Sequence, residues 1–299
     1  MKKRRQHYVW RHYLEAWAPT GKLWCHRLGE NVFLASTQNV AHERDFYRLR
    51  EMSEFDLLVV RKLAIEPLEP DLRKIAEGWI PHFTYAFILQ RQFQDTGSPE
   101  LEAAFDECIN NLEENMLSNL EGRALPFLKS LRNEEPTLLT DAEESIFHTL
   151  FIAAQIFRTP TMFDSMTNVL RKIPGFNAEA SFGLIRTIFS YNLGRSFWLG
   201  RNTLRVTYLR TNSIPLITGD QPIVNLRAID LEPGVPPQEV ELYYPVSPTL
   251  GVLFDFDAPS RSSTVKLLTI EEVRVYNRAI AKKSTRQIYG INRASIENL

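Results

Sequence analysis

Cysteine is nearly absent: Cys25 and Cys108 are the only two in 299 residues. They lie far apart with no metal-ligand spacing, which argues against a disulfide scaffold and fits a reduced compartment. No apolar run approaches the ~20 residues a membrane helix needs. The basic tip Lys2, Lys3, Arg4 and Arg5 is not followed by the apolar stretch a secretory leader requires. An excess of one charge is lacking too. Lys and Arg total 35 against 36 Asp and Glu, a net −1, so no overall field draws the chain to nucleic acid. Repeats and low-complexity linkers are missing, as are the phosphate-cradling GxxxxGK, the dinucleotide GxGxxG, the zinc-binding HExxH and the nucleophile-elbow GxSxG. These absences describe a soluble cytoplasmic protein with no membrane partner. At 44% hydrophobic and 24% charged it is long enough to bury one large core or two intimate ones.

What is present is concentrated at the start. Between Gln6 and Trp17 stand His7, Tyr8, Trp10, Arg11, His12 and Tyr13, directly behind the basic tip. The stretch is too aromatic for a disordered tail. It reads as a segment that docks into the body and presents His7 to a site built by later residues.

The remaining pattern predicts an α+β fold. Residues 23–27 and 31–34 flank Gly29-Glu30 as a small hairpin, and residues 39–47 connect onward with Phe46 and Tyr47 turned inward. From Ser53, which forms a capping pattern with Asp56, to about residue 200 the apolar period is helical. Pro67 and Pro70 break the first helix, an apolar helix spans 79–93, and another runs from 100 to about 120. Pro126 and Pro136 then punctuate the chain, Thr140 with Glu143 caps a helix reaching Arg158, and Pro160 starts the next. Short β-rich runs follow at 206–209, 215–218, 223–226, 240–244 and 250–254. A helix capped by Thr269 covers 270–284, and residues 287–290 return as an edge strand. The expectation is one domain over 1–299. Its helical subdomain (53–200) packs on a C-terminal antiparallel or mixed sheet, and residues 1–52 join 201–299, because neither end alone has enough apolar surface for a core.

Five residues are candidates for chemistry. Asp220, in Thr218-Gly219-Asp220-Gln221-Pro222, ends a strand, a common place for a catalytic carboxylate, and equally a place where Asp caps its own turn. Gln155 and Arg158 share a helix face with His148 and Phe151. A buried Arg158 needs an anion, for which Asp220 is the first choice. Asn277 sits among apolar neighbours and suits clamping a backbone segment, with its amide offering both an acceptor and donors. An unperturbed His7 titrates near ~6.5, which suits acid–base work at neutral pH. Asp255 and Asp257, two apart after a strand, read as a solvated turn, and no metal ligand is assigned.

At these positions the chain resembles the domain-of-unknown-function 4238 family. His7-Tyr8-Val9-Trp10, then Tyr13-Leu14 and Trp17, is similar to its His-Tyr-Val-Pro, Tyr-Leu, Phe signature, with Trp10 in place of proline. Gln155-Ile156-Phe157-Arg158-Thr159-Pro160 resembles its Gln-x-x-Arg-Thr-Pro segment. Residues 217–223 resemble its Ile-Thr-Ser-Asp-x-Pro-Val, with Gly219 in place of serine, and Tyr244-Pro245-Val246-Ser247-Pro248 resembles its Pro-Leu-Ser-Pro. Asn277 falls where a C-terminal helix of the family carries Asn. The resemblance names no activity; it implies that His7, Gln155, Arg158, Asp220 and Asn277 belong to one cluster.

The expected function is a cofactor-independent hydrolase or transferase acting on a phosphate-bearing substrate, a nucleotide or nucleic acid, in the manner of a bacterial defence or toxin effector. His7 and Asp220 would handle the proton, with Gln155, Arg158 and Asn277 on the substrate. The competing expectation is an interaction protein in which the same polar groups form a buried structural network.

Overall fold

The helical period between residues 53 and 200 becomes a stack of helices, and the segments on either side become two larger sheets and one two-stranded sheet. The computed structural model describes residues 1–94, 97–139, 142–231, 235 and 237–299. The chain opens on strand β1 (Arg5–His7) and a one-turn helix α1 (Arg11–Leu14). The hairpin β2 (Lys22–Arg27) and β3 (Val32–Ser36) follows, and β4 (His42–Arg44) returns to pair with β1, His7 opposite His42. The helical body comprises α2 (Glu54–Val60), α3 (Pro70–Gln92), α4 (Pro99–Arg132), α5 (Ala142–Phe157), α6 (Pro160–Leu170) and α7 (Ala178–Leu199). Then come β5 (Arg205–Arg210), β6 (Thr218–Gly219), β7 (Val224–Asn225), β8 (Glu241–Ser247), β9 (Leu250–Asp255) and β10 (Ser262–Leu267). Helix α8 (Ile270–Lys283), β11 (Gln287–Gly290) and α9 (Ala294–Glu297) complete the chain.

The expected caps form. Ser53 and Asp56 close a reciprocal capping box on α2, Thr269 and Glu272 do so on α8, and Thr159 caps α6 with Pro160 in its first position. The capping role expected of Thr140 lies outside the described residues. Two helices are longer than their prolines suggest: α3 runs through Pro81 and α4 through Pro126. An interior proline costs about 3 kcal/mol. Beyond Pro126, however, α4 buries Phe127, Leu128 and Leu131, each contributing about 1.5–3 kcal/mol.

A five-stranded sheet runs in the order β10-β5-β9-β8-β7, parallel between β10 and β5 and antiparallel elsewhere; a four-stranded antiparallel sheet runs β3-β2-β11-β6. Three strand expectations need correction. Residues 287–290 are not an edge: β11 lies between β2 and β6, joining the first quarter of the chain to the last. The 215–218 strand shrinks to Thr218–Gly219, because Pro215 has no N–H, Leu216 donates to Pro248, and Ile217 donates to the Asn277 side chain. The sequence reading missed β10, an edge strand whose Ser-Ser-Thr-Val-Lys-Leu composition is polar and mostly exposed.

The opening segment lies in the main core. Tyr8, Tyr13, Leu14 and Trp17 pack with Phe127 and Leu128 of α4, Phe151 of α5, and Tyr244 and Phe254 of the larger sheet. Tyr13 stacks on Tyr244 with centroids 5.1 Å apart. Its hydroxyl, 2.6 Å from Thr218 Oγ1, donates to the Pro245 carbonyl at 2.7 Å. Trp17 Nε1 donates to Leu216 O at 2.8 Å. A second core lies among α2, α3 and α7, and a third holds α8 against the sheets. No described helix is long and apolar enough to cross a membrane.

Tyr8, Val9, Tyr13, Leu14 and Trp17 are each at most 1% exposed. At about 1.5–3 kcal/mol apiece, their burial is comparable with the whole stability of an ordinary domain. Deleting residues 1–17 is therefore expected to abolish the cooperative thermal transition; a truncated chain that melts like the full one would show the segment to be an appendage.

Candidate functional site

The centre of the site is a buried polar stripe on the long helix α4. Asn110, Glu113, Glu114 and Glu121 fall on one face of α4 by the 3.6-residue period. Asn110 is fully buried, and Glu113 and Glu121 are 3% and 9% exposed. The chain start lies along this stripe: Gln6 Nε2 donates to Asn110 O at 2.8 Å, Asn110 Nδ2 to Lys3 O at 2.9 Å, and Lys3 N to Asn111 Oδ1 at 2.8 Å. The basic tip is tied down as well, Lys2 by Asp106 and Lys3 Nζ by Asn115.

Two buried arginines face the acids. Arg158, where the chain leaves α5, pairs with Glu121, donates to the Tyr47 hydroxyl at 3.0 Å and to the His7 carbonyl at 2.6 Å. Arg186 of α7 pairs with Glu113 and lies 4.6 Å from the Tyr47 ring centroid. The carboxylate partner of Arg158 is thus Glu121 and not Asp220. The stripe holds three acids against these two cations. The third, Glu114, has an Oε2 that is buried without a hydrogen-bond partner. Burial pushes its carboxyl up to about 7, with Arg158 pulling it down and Glu121 pushing it further up. Burial likewise raises Glu121, against the pull of Arg158.

His7 joins this network through its backbone. Its ring stands edge-on to His42 with centroids 5.3 Å apart, and its Nε2 is buried without a partner. Burial, then the charges of His42 and Arg158, push its pKa down to about 4, so it is a weaker base than the sequence suggested. Gln155 is 2% exposed and its Nε2 also lacks a partner.

Asp220 and Asn277 are engaged elsewhere, in a reciprocal clamp. Asp220 accepts backbone N–H bonds from Thr285 at 3.0 Å, from Gln287 at 2.9 Å and from Arg286, all just beyond α8. Burial raises its carboxyl to about 6 against the pull of those three donors. Asn277, on α8, accepts from Ile217 N and donates to Pro215 O, both at 3.0 Å. Each element therefore holds the other's backbone. Between them Gly219 passes so close to α8 that a Cβ would fall 2.0 Å from Ser284 Oγ, which accounts for glycine here. Among the described residues no hydrogen bond or ion pair joins Asp220 to His7 or Arg158.

The resembling segments do converge, through different residues. Thr159 Oγ1 donates to Gln221 Oε1 at 2.5 Å, Gln221 Nε2 donates to Ile223 O at 2.9 Å, and Tyr13 reaches Thr218 and Pro245. Sequence reasoning missed Tyr47, Glu113, Glu114, Glu121, Arg186 and Gln221. The available signal was three acids seven and eight residues apart on a helix that also carries Ile109, Leu117 and Leu120.

Two cavities open beside the network and share Glu113 and Arg186. One, of about 360 Å³, is a polar cleft lined by Arg44, Asp45, Arg48, Arg50, Glu179 and Arg186, among others. The other, of about 330 Å³, lies among helices. Among the described residues, no group of three or more His, Cys, Asp or Glu is placed to hold a metal ion. Asp255 pairs with Arg205 and accepts the Asp257 N–H at 3.0 Å, as a turn would have it.

Removing one member of a buried pair strands the other charge. Arg158→Met alone, or Glu121→Leu alone, is expected to cost about 3–5 kcal/mol, while the double substitution recovers more than half of the summed loss. Additive losses in urea unfolding would show that the pair is not coupled. Glu114 gives a pH test. Its carboxyl titrates near 7 folded against about 4.5 unfolded. The folded chain therefore keeps an extra proton in that window, and stability falls as pH rises through it, by about 3 kcal/mol. Glu114→Gln should remove this loss and exceed the wild type in stability above neutrality; equal pH slopes for the two proteins would refute the assignment.

No curated protein and no solved structure matches the chain. Residues 5–183, more than half of its length, match the family described as protein of unknown function, DUF4238, and this span takes in the opening segment, the acidic stripe and Arg158. The chain is a member of the DUF4238 family.

Proposed function

We propose that the chain binds a phosphate-bearing molecule, a nucleotide or the end of a nucleic acid, in the arginine-lined cleft, and that hydrolysis or group transfer at that phosphate is the reaction it hosts. The observation that carries this reading is Arg48. Its Nη2 pairs with Asp106 at 2.6 Å, while its Nη1 is buried without a hydrogen-bond partner, in a residue that lines the cleft. An idle guanidinium N–H beside Arg44, Arg50, Arg186 and Arg286 suits a phosphate oxygen, since a hydrogen bond between a cation and an anionic oxygen is about twice as strong as a neutral one. His7 and Asp220 are not among the residues lining this cleft. The saturated hydrogen bonds of Asp220 and Asn277 favour a second reading, an interaction protein whose polar cluster is structural. The two separate on turnover.

Calorimetric titration of ATP and of a short phosphorylated single strand tests the site. Binding should weaken as salt rises, and Arg48→Gln should weaken it about tenfold. Release of inorganic phosphate would support the catalytic form, and saturable binding without turnover the interaction form. Absence of binding for both probes at low salt would end the phosphate reading.

A further inference from the structure

The second cavity, about 330 Å³, is a half-open pocket bordered by α3, α4, α5 and α7, with Trp79, Met116, Leu120, Phe147 and Leu150 on its walls. A space of this volume between packed helices, walled mainly by aromatic and aliphatic side chains, has the size of a small-ligand pocket. Four of its polar groups limit what fits. Arg158 and Arg186 line it but are already engaged by Glu121 and Glu113. Trp79 Nε1 is shielded from solvent without an acceptor. Arg123, an exposed residue, holds its guanidinium 3.4 Å from the Phe147 ring centroid and makes no ion pair among the described residues.

An apolar interior with an idle N–H and an unneutralised cation selects a ligand with an apolar body and one anionic head. We propose that this cavity binds a small amphipathic anion, an aromatic or medium-chain carboxylate or sulfonate, with its head at Arg123. The aromatic face under the guanidinium holds that cation in place for the head. The site is separate from the phosphate cleft, sharing only Glu113 and Arg186 with it, and stands whether or not that cleft binds phosphate.

The test uses two fluorescent probes of similar shape, anilinonaphthalene sulfonate and the neutral N-phenyl-naphthylamine. Both are expected to bind the folded full chain at one site. Arg123→Gln should weaken the sulfonate about tenfold and leave the neutral probe within about twofold. Leu117→Trp, or Ser190→Phe from another wall, should fill the cavity and abolish both signals while the thermal midpoint is kept. A folded filling variant that binds both probes like the wild type overturns the site, as does a wild type with no saturable signal. An Arg123→Gln variant that weakens both probes alike, or neither, overturns the anionic class.

Discussion

Two arginines buried against the acidic face of one helix set the terms for everything around them. Neither Arg158 nor Arg186 gains much net free energy from its carboxylate, because desolvation of both ions offsets most of the attraction. What the pairs provide is exclusivity. With α4 contributing Glu113 and Glu121, the end of α5 and the body of α7 have one low-energy place to lie, and any other packing strands a charge. Arg158 then extends the constraint to the chain start by holding the His7 carbonyl and the Tyr47 hydroxyl. A neutral Glu114 at mildly acid pH leaves the stripe in charge balance, two acids against two cations.

Much of the architecture was legible because it depends on local chemistry. Aromatic density between Gln6 and Trp17 required burial, capping pairs at Ser53 and Thr269 marked helix starts, and an asparagine among apolar neighbours announced a backbone clamp. The partner of Arg158 was not legible, since a carboxylate 37 residues upstream and one 62 residues downstream look alike in sequence. Position in three dimensions chose Glu121. The length of α4 was hidden by Pro126, where burial beyond the proline outweighs its cost, and β10 by a polar composition suited to an exposed edge.

The resembling segments carry different kinds of work. Both carboxylate oxygens of Asp220 and both ends of the Asn277 amide are occupied by main chain, so these residues define how α8 and β6 cross. Gly219 belongs to the same crossing, where only a residue without a Cβ clears Ser284. Unspent hydrogen-bonding capacity lies nearer the arginines, at His7, Glu114, Gln155 and Arg48.

The position of β11 also dictates an order of events during synthesis. An inner strand of the four-stranded sheet, β11 (Gln287–Gly290), is made long after β2 (Lys22–Arg27), which it must join. While the nascent chain lengthens, the helical body can assemble from neighbours in sequence, but the β2–β3 hairpin waits with one edge unpaired. Until residues 287–290 arrive, that edge is open to other strands. Translation speed and chaperone access over this interval, rather than the stability of the finished fold, would then govern how much of the protein matures correctly.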